Sequence, residues 1–326
     1  MSKRRKSQKN IYYAIYILCF ILVALIVILN VHNVTPKKTS TNQISPKQTT
    51  QTQIQTKPKT TQTEQSKTTT ASKTTENIIS LTNGLEIPLC PAQNHTEDHE
   101  MRKFKNYTIC YRESYEQAEW SAYCLSDFQL EKNTDRTNDF RVDPLISTGS
   151  ADLADYRKSS FDRGHLTPAA DMSFDETAMS ETFYMSNMTP QNPQFNRGIW
   201  KDLEAQVRIW VKQFGKAYVV SGPVLNKKAT SYTTIGNNNV TIPEYFYKVI
   251  LVPVYKDNED RKSPDDTYSV MAIGFVIPNQ NCSESFWNYT KSIDDIEELT
   301  NLDFYSLLPD DIEDNIEAFY ILDEWK

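Results

Sequence analysis

Four histidines occur in 326 residues, and one of them, His165, stands among acids, arginines and small turn residues in Asp162-Arg163-Gly164-His165-Leu-Thr-Pro-Ala-Ala-Asp171-Met172. Imidazole is the side chain whose unperturbed pKa lies near neutral pH, which suits it to taking a proton. A polar-rich run follows, Asn187-Met-Thr-Pro-Gln191-Asn-Pro-Gln-Phe-Asn196-Arg-Gly-Ile-Trp200-Lys-Asp-Leu-Glu204. A general base followed by carboxamides and a carboxylate that could organise a hydrated metal ion points to phosphodiester chemistry. There the water must lose a proton and the phosphate's growing charge must be met.

Elements must position these groups. Apolar residues at Trp200, Leu203, Val207, Trp210, Val211 and Phe214 form one helical stripe, and Gly215 is placed to close it. On a straight helix Asn196 and Glu204 would stand roughly 80° apart and about 12 Å along the axis. They would then not hold one ion together directly. An inner ligand at Asn196 with a water-mediated role for Glu204 is compatible with that separation, and magnesium, which keeps several of its waters, would accept one carboxamide oxygen. Runs at 119–126, 217–222, 245–254 and 268–277 read as strands, and 177–186, 293–300 and 310–319 as further helices. Strands in neighbouring blocks, rather than strict strand–helix alternation, predict an α+β domain.

The chain is made of two materials. Residues 1–76 hold 12 Lys and Arg against 2 acids, net +10, so the whole-chain −7 leaves −17 on residues 77–326. Residues 1–10 are basic, and an apolar, uncharged run from Ile11 to Leu29 is long enough at about 1.5 Å per residue to cross a bilayer. A signal anchor over 11–31 is expected, with the basic end in the cytoplasm and the bulk of the chain extracellular or lumenal. Residues 32–76, rich in Thr, Gln and Lys, cannot bury enough apolar surface to order and read as a disordered stalk. Sequons at Asn94, Asn106, Asn239, Asn281 and Asn288 and four cysteines past the anchor, Cys90, Cys110, Cys124 and Cys282, fit that placement and allow two disulfides. The absence of any Cys-x-x-Cys pair excludes a common zinc site, and the absence of internal repeats excludes a solenoid. His95 and His99 share helical spacing but have no third ligand nearby, so a solvated loop is the better reading.

Taken together, Asp162–His165, Asn187, Gln191, Asn196 and Glu204 resemble, in order and spacing, the signature of the DNA/RNA non-specific endonucleases, the ββα-metal group. Asp-Phe-Arg-Val-Asp-Pro (139–144), Ser-Gly-Pro (221–223), Ile-Pro-x-x-Tyr-x-Lys-Val (242–249) and the segment 296–303 match as well, so the likeness covers about 100–320. It implies a mostly antiparallel central sheet flanked by helices and makes 77–326 a nuclease domain. It implies His165 as general base, Asn196 as the direct ligand of magnesium, with manganese as substitute, and Glu204 as holder of metal-bound water. Asn187 and Gln191 would lie one layer behind. Asp162 and Arg163 belong to the motif, their plainer reading being a salt bridge that tightens a turn; for Asn187 that reading is a helix cap. An upstream arginine would contact the phosphate, Arg136 first and Arg141 second.

Three functions compete at this stage. The first is a membrane-tethered, metal-dependent endonuclease acting on DNA and RNA. The second is a catalytically silent nuclease-like ectodomain that binds a partner or glycan. The third is a mitochondrial nuclease, against which the basic-then-apolar N-terminus argues, since it is no amphipathic transit peptide. The acidic balance opposes a polyanion, but twelve acids fall between Asp294 and Glu324, while Arg157, Lys158, Arg163, Arg197, Lys201 and Arg208 cluster near the motifs. The sequence leaves the oligomeric state open.

Overall fold

A computed structural model of the chain describes residues 81–89, 98–255 and 267–326, all within the unit Ser72–Lys326. The expected anchor at 11–31 and the stalk at 32–76 lie outside the described residues. The strands are β1 (His99–Lys103), β2 (Thr108–Arg112), β3 (Gln117–Ser126), β4 (Asp162–His165), β5 (Met188–Gln191), β6 (Lys216–Pro223), β7 (Thr234–Ile235), β8 (Val240–Thr241), β9 (Tyr245–Tyr255), β10 (Thr267–Pro278) and β11 (Thr290–Lys291). The helices are α1 (Glu176–Glu181), α2 (Lys201–Phe214), α3 (Ile293–Thr300), α4 (Asp310–Ala318) and α5 (Leu322–Trp325).

Side chains alternate between the two faces of a strand, and here both faces are apolar. On β6, Ala217 and Val219 enter one core while Tyr218 and Val220 enter another; on β9, Phe246 and Ile250 part in the same way from Tyr247 and Val249. The sheet is therefore a middle layer. It runs β1-β2-β3-β6-β9-β10-β11 and is antiparallel throughout. One face is covered by α2 through Leu203, Val207, Trp210 and Val211, the other by Ile293, Ile296, Phe304, Tyr305 and Ile316 of the C-terminal segment. This is the expected α+β architecture, with helices flanking a mostly antiparallel sheet.

The long strands and α2 fall within a few residues of their sequence readings because their patterns are long. Gly215 closes α2 in the left-handed region, at φ 79°. The helix expected at 177–186 is shorter; α1 ends at Glu181 and the chain turns again at Met185–Asn187. The two-bridge disulfide framework does not form, because Cys124 and Cys282 are free thiols. Cys124 is on β3 and Cys282 follows β10, three strand spacings away. That is roughly 14 Å, beyond the ~7 Å that a bridge can span. Cys90 and His95 lie outside the described residues, and His99 sits on β1 with Nε2 3.4 Å from Glu119.

Candidate active site

β4 and β5 pair antiparallel, Asp162 opposite Gln191 and His165 opposite Met188, and the chain leaves β5 into the helical segment that starts at Pro193. Two short strands and a helix thus bring Asp162, His165, Asn196 and Glu204 onto neighbouring elements. Gly164 is required at the crossing, since a Cβ there would lie 2.1 Å from Cδ of Gln191. Asn192, not Asn187, caps the helical segment, accepting from the N–H groups of Gln194 and Phe195. Asn196–Trp200 is a π-turn with a kink at Gly198, so the straight-helix separation of Asn196 and Glu204 does not apply. A residue added to a turn rotates what precedes it by roughly one 100° step.

His165 is buried, and its Nε2 is sealed without a hydrogen-bond partner. Its ring meets Phe183 edge-on at 4.9 Å and Phe140 at 5.9 Å. Each phenylalanine carries a guanidinium on its ring, Arg136 over Phe183 at 4.8 Å and Arg163 over Phe140 at 4.0 Å. Burial, then Arg136 and Arg163, depress the imidazole pKa to about 3, so it stays neutral at physiological pH.

Asn187 holds the chain just after His165. Its Oδ1 accepts from Thr167 N–H at 3.0 Å, and its Nδ2 donates to the carbonyls of Thr167 and Thr182 at 3.0 and 2.9 Å. Buried and fully engaged, it fixes that backbone, and the Asn187-Met-Thr sequon that it heads has no room for a glycan. Gln191 is buried too, with neither amide atom partnered.

The expected Asp162–Arg163 salt bridge does not form. Arg163 leans on Phe140, and Asp162 instead accepts from Arg197 Nη2 at 2.6 Å and Nε at 2.8 Å. Adjacent residues on a strand point to opposite faces, which keeps the two side chains apart. Oδ2 of Asp162 also accepts from Asn196 Nδ2 at 2.9 Å, which fixes the amide and leaves its oxygen for another partner. Of the two arginine candidates, Arg141 is spent on Asp139 and Ser180 and stacked on Tyr184, whereas Arg136 makes one side-chain bond, to Asn138, through Nε. Arg208 is not part of a surface track, because it pairs with the buried Asp171 at 2.7 Å.

Behind Glu204 lies a polar group that the sequence reading did not single out. Lys248, fully buried on β9, donates to Ser221 Oγ and sits 4.5 Å over the Trp200 ring. Asp171 accepts from Tyr123 at 2.6 Å as well as from Arg208. Burial pushes the Glu204 carboxyl up and the Lys248 ammonium down; each group's charge resists the other's neutralisation, and Asp171 adds repulsion at Glu204. A lysine inside an otherwise apolar strand was the available clue. The donor types suit a hard divalent ion: one amide oxygen whose nitrogen is held from behind, and one carboxylate on which a buried cation acts.

The model of the DNA/RNA non-specific endonucleases matches residues 87–311. The chain belongs to that family. Members of the DNA/RNA non-specific endonuclease family depend on a divalent metal, generally magnesium. Among family relatives, the chain is 34% identical over 221 residues to "Nuclease EXOG, mitochondrial" of Danio rerio, covering 64% of this chain and 62% of that protein. It is 34% identical over 218 residues to "Nuclease C1" of Cunninghamella echinulata var. echinulata, covering 63% and 82%. It spans between 57% and 62% of the length of four EXOG relatives. A solved complex of EndoG with EndoGI aligns at a TM-score of 0.56 and 27% identity, covering 65% of this chain and 88% of that one.

The family comparison corrects the compartment expected from the N-terminus. EXOG, endonuclease G and the Saccharomyces cerevisiae relative are named as mitochondrial nucleases, and among the described residues no helix is long and apolar enough to cross a membrane. An apolar run records its hydrophobicity but not which compartment the following domain occupies.

Proposed function

We propose that the chain is a metal-dependent endonuclease that hydrolyses phosphodiester bonds in DNA and RNA, with the mitochondrion, the compartment its relatives are named for, in place of the outward-facing one. The observation that carries this reading is His165, a buried neutral imidazole at the end of β4, flanked by two guanidinium groups and set on the same short motif as Asn196. Since Nε2 is sealed, Nδ1 is the atom that takes the proton from the attacking water. Arg136 contacts the phosphate, and neutralisation of its charge by substrate raises the imidazole's basicity when a proton must be accepted. Asn196 would hold the ion through its amide oxygen, which Asp162 orients by accepting from the amide nitrogen, and Glu204 would face the ion's hydration shell, with the Lys248 charge favouring its ionised form. Asn187 fixes the backbone after His165. When bound, magnesium, or manganese in its place, supplies positive charge at the phosphate and the leaving oxygen.

The full-length chain incubated with supercoiled plasmid and with RNA, in magnesium and in chelator, beside His165→Ala, tests this. Metal-dependent cutting that the variant loses is expected. Folded protein that cuts neither polymer in any divalent ion would favour the silent, partner- or glycan-binding domain instead.

A further inference from the structure

The C-terminal layer lies on the sheet face opposite α2 and carries a group of acids that nuclease chemistry does not use. Carboxylate oxygens of Asp294, Glu297 and Glu317 all lie within 4.8 Å of one another, as do those of Asp303, Glu313 and Glu317. Glu317, on α4, is common to both sets. Two oxygens that each sit about 2.4 Å from one calcium ion can be at most about 4.8 Å apart, so either set is compact enough to share an ion.

Glu317 is the independent observation. It is 7% exposed, and its Oε1 is sealed with no hydrogen-bond partner. A buried carboxylate without a partner is costly and ordinarily protonates or takes a cation. Two other buried acids are answered by arginines, Asp171 by Arg208 at 2.7 Å and Asp143 by Arg102 at 3.5 Å, and buried Asp155 accepts from the N–H groups of Asp152 and Asn238. Among the described residues no lysine, arginine or histidine pairs with Glu317, and the charges that bear on it are the carboxylates of Glu297, Glu313, Asp303 and Asp294. Burial first and these neighbours second lift the Glu317 carboxyl to about 9 and the Glu297 carboxyl to about 7.

We propose that Glu317, with acids of α3, the following loop and α4, forms a second divalent-cation site, of the calcium class, on the face of the sheet away from His165. Oxygen-rich, carboxylate-dominated sites suit calcium, which accepts six to eight ligands in loose geometry, better than magnesium, which keeps its waters. The ion would tie α3 to α4 and neutralise part of the acidic C-terminal layer. This site stands whether or not the nuclease reading does.

Calcium titration of the full-length chain at constant ionic strength, followed by calorimetry and by thermal unfolding, tests the proposal. Expected are a dissociation constant at or below about 1 mM, a rise in Tm with calcium, and binding at least tenfold weaker in Glu317→Gln. Asn196→Ala, which removes the ligand proposed at the other site, should keep both the binding and the Tm rise. If Glu317→Gln does not fold, Glu297→Gln should show the same weakening. Equal calcium binding in the wild type and these acid variants, no binding in the millimolar range, or loss of the Tm rise in Asn196→Ala would each overturn it.

Discussion

Asn187→Ala separates a positioning role from a helix-capping one by magnitude. The substitution deletes one acceptor and two donations, leaving Thr167 N–H and the carbonyls of Thr167 and Thr182 without their partner in a buried region. At about 1–3 kcal/mol for each buried group left unsatisfied, less some relief from entering water, the cost is about 3–5 kcal/mol. Loss of a helix cap would cost only about 1 kcal/mol. Urea unfolding of the wild type and variant gives the difference directly. Because Thr167, which loses both of its bonds to this side chain, follows His165 by two residues, kcat at saturating magnesium should fall along with stability. Asn187→Asp keeps the acceptor but turns oxygen toward two carbonyls, so it should rescue neither. A destabilisation near 1 kcal/mol with unchanged kcat would refute the reasoning.

Other consequences follow from the same geometry. His165 refuses a proton when folded until about pH 3 but accepts one near 6.5 when unfolded, so it contributes full stability above pH 6.5 and loses it as pH falls. Between pH 6.5 and 3 its contribution should fall by up to about 1.4 kcal/mol per unit, and denaturant melts should show that slope missing in His165→Gln; parallel slopes would count against a buried neutral imidazole. Lys248→Met removes the buried cation whose charge most favours the ionised Glu204 carboxylate. The acid limb of the activity profile should move to higher pH as Glu204 becomes easier to protonate, and an unmoved limb would remove Lys248 from the site. Asp162→Ala releases the Asn196 amide, and the magnesium concentration for half-maximal activity should rise about 10–100-fold while thermal stability changes little. Gly164→Ala forces a Cβ into Gln191 and should cost about 1–3 kcal/mol, with Gln191→Ser in the same chain recovering part of it in urea melts.

Sequence alone determined which residues could act and the periods of the long elements. His165, Asn196 and Glu204 were legible because few side chains can do their chemistry, and their order and spacing are properties of the chain. The long strands β3, β6, β9 and β10 and the helix α2 were legible because many apolar residues follow one another or repeat at one period, and burial of whole faces enforces that pattern. Only the tertiary structure decided partners. Asp162 turned from its neighbour Arg163 to Arg197 and Asn196, thirty-five and thirty-four positions along the chain, because a strand sends adjacent side chains to opposite faces. Arg136 was separated from Arg141 only by what each guanidinium already holds. β4 and β5 escaped notice because a four-residue strand containing glycine, or one containing proline, has no period to read, and its pairing is set by the sheet it joins. Lys248 was visible as an oddity, but its link to Glu204 arises where β9 passes beneath α2. The acids around Glu317 were legible only as a concentration of charge between Asp294 and Glu324; the packing of α3 and α4 against the sheet buried one of them. Local sequence fixes chemistry and period; burial and long-range contact assign each polar group its partner.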